Sequence, residues 1–194
     1  MALAVGQGSL WLAPQADEEP EDSRRERALI RSAQDGSEEA FETLFRRHWR
    51  DAHRTAFLVV RDAGAAEEIA QEAFLAAIRA LDRFDRRRPF RPWLHRIVVN
   101  RAIDHARARS LRREVVDAAQ DAVAPEQNDA VGEELLAALA DLGVEQRAAI
   151  VLRYLRDYTP GEIARILQVP RGTVNSRLRR GLDRLASSLE AEVR

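Results

Sequence analysis

The sequence predicts an all-α fold of two small helical domains joined by a flexible acidic linker. Apolar residues recur at steps of three and four along most of the chain, and no segment keeps the strict alternation of a strand. The charge also falls in blocks. Residues 1–23 carry five acids and no base, and residues 24–113 carry 21 Arg against 13 acids. Residues 114–134 carry seven acids and no base, and residues 135–194 carry ten Arg against seven acids. The net charge of −1 therefore hides two basic units separated by an acidic connector.

Composition narrows the class further. Hydrophobic residues make up 45% and charged residues 32% of the 194, the balance of a globular chain rather than a disordered one. No stretch approaches the roughly 18 to 20 apolar residues of a bilayer-spanning helix, so no membrane insertion is expected. The opening MALAVGQGSLWL has neither a positive start nor a sustained apolar run, and a cytoplasmic protein is expected. The absence of cysteine removes disulfides, thiolate metal sites and cysteine nucleophiles. All 31 basic residues are Arg. A GC-rich coding bias accounts for most of that, yet guanidinium forks also suit phosphates and base edges.

Residues 1–23 read as an acidic extension, expected to be disordered, in which Leu10, Trp11 and Leu12 precede the acids. The first domain spans residues 24–113. One buried helix face is Phe41, Leu44, Phe45, His48, Ala52, Thr55, Ala56 and Val59. The next is Ala66, Ile69, Ala70, Ala73, Phe74, Ala77, Ile78 and Leu81. Arg61-Asp62-Ala63-Gly64 separates these two helices. Arg86 to Pro92, with prolines at 89 and 92, separates the second from a third running from about Trp93 to Arg113. Residues 114–133 hold Pro125 and Gly132, keep no apolar period and read as the linker.

The second domain, residues 134–194, shows four short helical patterns: Glu134 to Leu142, Glu145 to Leu155, Pro160 to Leu167, and Gly172 to about Leu189. Thr159 before Pro160, with Glu162 three residues on, predicts a capping box and a sharply marked helix start. Gln168-Val169-Pro170 then turns tightly into an Arg-bearing helix. This is the helix-turn-helix plan, whose second helix enters the major groove. In that helix Val174, Leu178, Leu182 and Leu185 form the core stripe. Thr173, Ser176, Arg179 and Arg180 lie opposite, flanked by Asn175 and Arg177, and these donors suit base edges and phosphate oxygens. A solvated helix face can carry the same charge. The cap, the short turn and the small Ala164, where two helices can cross closely, decide for DNA.

The string LADLGVEQRAAIVLRYLRDYTPGEIARILQVPRGTVNSRLRRGLDRL resembles region 4 of extracytoplasmic-function (ECF) sigma factors, a group within the sigma-70 superfamily. AFETLFRRHW, GAAEEIAQEAFLAAIRALDRF and FRPWLHRIVVNRAIDHARAR resemble region 2 of the same group, in the expected order and spacing. The resemblance covers about residues 28–113 and 134–190. It implies a protein that needs no cofactor, binds core RNA polymerase, places it on a promoter and helps open the duplex. The DNA partner is then promoter DNA, double-stranded at the −35 element and single-stranded at the −10 element.

By this resemblance, −35 contact falls to Arg171, Thr173, Asn175, Ser176, Arg177, Arg179 and Arg180, with Asn175 and Arg179 placed for base contact. The −10 element falls to Arg86, Arg87, Arg88, Phe90, Trp93, Arg96, Asn100, Arg101 and Arg107, the loop from Arg86 to Phe90 helping to capture a flipped base. Core polymerase, through the clamp helices of its largest subunit, is met by Glu68, Gln71, Glu72 and Leu75. An anti-sigma factor is a further partner expected by analogy. The composition agrees with the −10 role: residues 83–113 hold 11 Arg against Asp85 and Asp104, interleaved with Phe84, Phe90 and Trp93, as a single-strand track requires. Asp104 is expected to pair with Arg101 or Arg107 at helical spacing.

Catalysis is not expected. The histidines at 48, 53, 95 and 105 make no i, i+4 metal pair, and no phosphate loop, nucleophile elbow or triad is present. Two other readings compete. A stand-alone dimeric helix-turn-helix regulator would bind a palindromic site unaided. An adaptor would engage polymerase without reading DNA, against which stands the Arg-bearing last helix.

Overall fold

The computed structural model of the chain describes residues 21–115 and 133–192, and among these there is no strand. The expectations for residues 1–20 and for most of the linker lie outside the described residues. Helix α1, Glu21–Gln34, begins inside the segment expected as an extension. Its first-turn acids Glu21 and Asp22 sit where a helix N-terminus favours negative charge, and Asp22 pairs with Arg47 of α2, Glu38–Val60. Ser37 caps α2 by accepting the Ala40 N–H at 3.2 Å. The helix ends at Arg61, whose φ of 59° is left-handed, and Asp62 caps α3, Ala63–Ala80, by accepting the Ala65 N–H at 3.0 Å. Two adjacent residues thus end one helix and begin the next.

A short 3-10 turn, Leu81–Arg83, leads toward α4, Phe90–Val115. This helix starts three residues before the expected Trp93. Pro92 falls in its first turn, where a missing N–H breaks no helical bond, so the proline is compatible with the helix rather than a barrier to it. Leu44 and Leu58 of α2, Ala66 and Phe74 of α3, and Leu94 and Val98 of α4 form the buried centre of the first domain.

In the second domain α5, Glu133–Ala140, precedes α6, Val144–Ile150. The single helix expected from Glu145 to Leu155 is instead α6 followed by a π-helical turn, Val151–Leu155. Helix α7, Pro160–Leu167, has the capping box in full: the Thr159 N–H donates to Glu162 Oε2 at 2.8 Å, and the Glu162 N–H donates to Thr159 Oγ1 at 3.3 Å. Gln168, left-handed at φ 54°, ends it before α8, Arg171–Glu192.

Two core assignments need correcting. Leu182 is 42% exposed, and Gly181 is buried in its place. A Cβ on Gly181 would stand 3.0 Å from Ile150 Cγ1, so α8 crosses α6 at the residue that has none. Ile78, counted in the α3 stripe, is 46% exposed.

The two domains also pack against one another. Helix α4 lies on α6 and α7, and α2 lies on α6 and the π turn. Their apolar cores run together into one cluster, and a buried polar group, described next, sits at the junction.

Candidate nucleic-acid interfaces

Helix α8 turns Val174 and Leu178 into the core, which leaves Arg171, Asn175, Arg179 and Arg180 exposed and Thr173, Ser176 and Arg177 half-buried. The Ser176 hydroxyl donates to the Thr173 carbonyl at 2.9 Å, and Arg180 Nε donates to the Ser176 carbonyl at 3.3 Å. Ser176 thus uses its proton locally and keeps only its lone pairs for a ligand. The remaining arginines present their forks outward.

On the first domain Arg86, Arg87 and Arg88 are exposed at the start of the loop before α4. Arg87 grips Asp85 through Nε at 3.0 Å and Nη2 at 3.2 Å, and these bonds hold the Asp85 carboxyl below its usual range. Phe90 departs from expectation. It is 1% exposed, with its ring against His48, Phe84 and Trp93, so in this structure it supports the loop from below rather than presenting its ring at the surface. Trp93 is half-buried on Phe84, with ring centroids 4.7 Å apart. Along α4, Arg96 is exposed and Asn100 half-buried. Arg101 Nη1 donates to Glu72 Oε2 on α3 at 3.1 Å. Arg107 lies 4.0 Å from Asp104, the pairing expected at helical spacing, and 2.7 Å from Glu145 of the other domain.

Glu68, Gln71 and Glu72 are exposed on α3 with Leu75, which is 53% exposed. The exposed Ile78 extends this face by one turn, giving an apolar pair beside acids. That combination suits a partner helix carrying both aliphatic and basic groups.

Sequence reasoning missed a third site, at the domain junction. Asp51 of α2 accepts from Arg91 Nε at 2.7 Å and lies 3.0 Å from His95 Nε2 and 3.2 Å from Arg156 Nε. Arg156 Nε also donates to Thr55 Oγ1 at 2.7 Å, and the Tyr158 hydroxyl lies 2.9 Å from His95 Nδ1. His95 is 1% exposed and Arg156 7%. Burial alone would raise the Asp51 carboxyl. Hydrogen bonds from His95 and Arg91, with the charge of Arg156, overcome it and hold that group far below the ordinary carboxylate range. Burial lowers His95 against the pull of Asp51, and burial raises Tyr158. The one sequence signal was Asp51 itself, a carboxylate beside the core-facing Ala52 and Thr55.

Among the described residues no cluster of three or more His, Cys, Asp or Glu is placed to hold a metal, and no helix is long and apolar enough to cross a membrane.

Residues 44–112 match the sigma-70 region 2 family, and residues 132–185 match the sigma-70 region 4 family. The chain belongs to the sigma-70 family. Its relatives place it among the ECF RNA polymerase sigma factors. It is 37% identical to the ECF RNA polymerase sigma factor SigM of Mycobacterium tuberculosis over 86% of this chain and 85% of that one. It is 32% identical to the ECF RNA polymerase sigma-E factor of Escherichia coli over 87% and 96%. The structure of CnrH in complex with the cytosolic domain of CnrY is similar at a TM-score of 0.65 and 29% identity, covering 86% of this chain and 97% of that one.

Proposed function

We propose that this chain binds core RNA polymerase in the cytoplasm and directs it to promoters, contributing recognition and melting while the polymerase performs the catalysis. The observation that carries this reading is the pairing of two different family matches, in order, with an exposed Arg-bearing α8 and an arginine-rich loop before α4. Arg171, Thr173, Asn175, Ser176, Arg177, Arg179 and Arg180 read the −35 duplex, Asn175 and Arg179 at base edges and the others mainly at phosphates. Arg86, Arg87, Arg88, Trp93, Arg96, Asn100, Arg101 and Arg107 handle the −10 strand, with Phe90 supporting the loop from the core. Glu68, Gln71, Glu72 and Leu75, extended by Ile78, dock on core polymerase, and an anti-sigma protein would compete for that face.

Distance adds a condition. The −35 and −10 elements lie about 25 base pairs apart, which at about 3.4 Å per pair is about 85 Å of duplex. A compact chain of this length has a radius of gyration of about 16 Å. Domains packed against each other cannot reach both elements, so promoter engagement requires the junction around Asp51 and His95 to open.

Run-off transcription from genomic fragments, with purified core polymerase and with or without the chain, tests the reading. Initiation at discrete sites only in its presence is expected. Binding of palindromic DNA by a dimer of the chain alone, with no effect on initiation, would replace it with the stand-alone regulator.

A further inference from the structure

A hollow of about 540 Å³ lies between the two domains, beside the junction. Its polar lining includes Arg61, His105, Arg107 and Arg109 from the first domain and Glu145 and Arg147 from the second. Two of these arginines are matched: Arg107 by Glu145, and Arg109 by Asp62. Arg61 and Arg147 are not. Arg147 gives its Nη protons to the carbonyls of Val59, Ala140 and Leu142 and meets no carboxylate, while Asp141 acts on Arg61 without an ion pair. Burial, and then the charge of Arg61, push the Arg147 guanidinium down to about 10.

Three nitrogens of this lining, Arg61 Nε, His105 Nδ1 and Arg147 Nε, are buried with no hydrogen-bond partner. Arg147 has no carboxylate partner and Arg61 has only the more distant charge of Asp141, so an anion in the hollow would supply the missing counter-charge to both, while the buried nitrogens themselves stay beyond its reach. Arg61 is moreover held at a left-handed φ of 59°, a conformation a non-glycine residue adopts at a cost. Val60, Ala106, Ala140 and Val144 add apolar surface to the lining. The volume falls in the range of roughly 300 to 1,000 Å³ typical of small-molecule sites.

We propose that this hollow binds a small polyphosphate anion, the class of inorganic pyrophosphate and nucleoside polyphosphates, and that its occupancy holds the two domains together. The phosphates meet Arg61 and Arg147, and an attached organic group lies against the apolar side chains of the lining. The site has walls from both domains, so it exists only while they are docked. A ligand that binds one of two states shifts the balance toward it. The regulatory half of this proposal rests on the sigma-factor reading, since only there does docking oppose function.

The test is isothermal titration of inorganic pyrophosphate into the full chain at fixed ionic strength, beside sulfate and beside R61G. Glycine adopts a left-handed backbone freely, so R61G removes the guanidinium without straining the turn, and R61N, also tolerant of that backbone, gives a second reading. Expected are one saturable site for pyrophosphate, at least tenfold weaker binding of sulfate, and at least tenfold weaker pyrophosphate binding in both variants. A shorter mean interdomain distance by small-angle scattering should accompany saturation. Absence of saturable binding, equal affinity for sulfate, or undiminished binding by the variants overturns the site. None of these measurements contains polymerase, so their failure leaves the sigma-factor reading standing, and a failure of run-off initiation leaves the binding result standing.

Discussion

Tyr158 donates its hydroxyl proton to His95 Nδ1 across the domain boundary, over 2.9 Å, because the other ring nitrogen faces the carboxylate of Asp51 at 3.0 Å and must carry the hydrogen there. The imidazole is thereby fixed in one tautomer, neutral, between two helices of one domain and the loop that enters α7 of the other. The relay thus ties the two domains together across their boundary.

Removing either end of the chain of bonds should loosen docking. Tyr158→Phe leaves Nδ1 a buried acceptor without a donor, at a cost of about 1–3 kcal/mol. Asp51→Asn strips the counter-charge from the buried Arg156 and from Arg91, and should cost about 3–5 kcal/mol. Fluorescence transfer between one dye on each domain measures both, as a longer mean separation in the order wild type, Y158F, D51N. Identical separations in all three would show that the network does not hold the junction.

Acidification should act in the same direction. Burial keeps His95 below its ordinary value of 6.5 while docked, so the parted state takes up a proton that the docked state refuses. Docking is therefore fully stable above that value and weakens as pH falls below it, approaching about 1.4 kcal/mol per pH unit. Asp51, also depressed, contributes above its ordinary value of 3.8 and loses that contribution only in strong acid. Interdomain distance followed from about pH 7.5 to about pH 5 should rise, and His95→Gln should flatten the curve.

On the DNA side, Arg179→Ala and Asn175→Ala should each cost about 1–3 kcal/mol on the preferred −35 sequence and relax the preference at one base pair. Arg171→Ala should weaken all sequences alike and lower the salt dependence by about one phosphate contact. Competition assays over a library of −35 sequences, with the holoenzyme, separate the two patterns.

For the α3 face, Leu75→Asp with Ile78→Asp places charge on side chains that are already solvent-exposed, so thermal unfolding should move little. Affinity for core polymerase should fall by about 2 kcal/mol or more, read by anisotropy of a labelled chain. Unchanged affinity would move the docking surface elsewhere.

The helices were legible because their period is a local property, repeated every turn. The Thr159 capping box could be anticipated down to its bonds for the same reason. Periodicity names a face but not where its neighbour ends, and that is why Ile78 and Leu182 were placed in the core and Gly181 was not. The close crossing at Gly181 depends on α6, over thirty residues away, which no helical wheel contains. The donors of α8 were readable from their spacing. Phe90 was not, since an aromatic after an arginine run looks alike whether it stacks on a base or supports the loop from beneath. Tyr158 and His95 stand 63 positions apart, and each alone looks unremarkable.

The bond between Arg107 and Glu145 carries a thermodynamic consequence. If Arg107 also meets the unwound strand, as proposed above, one guanidinium is shared between the closed molecule and that strand, and the two uses compete. Reciprocity then requires that whatever the strand gains from Arg107, closure forfeits. On that proposal, a promoter that engages this arginine well would help to unfasten the protein it recruits, and one that engages it poorly would draw the work of opening from the polymerase.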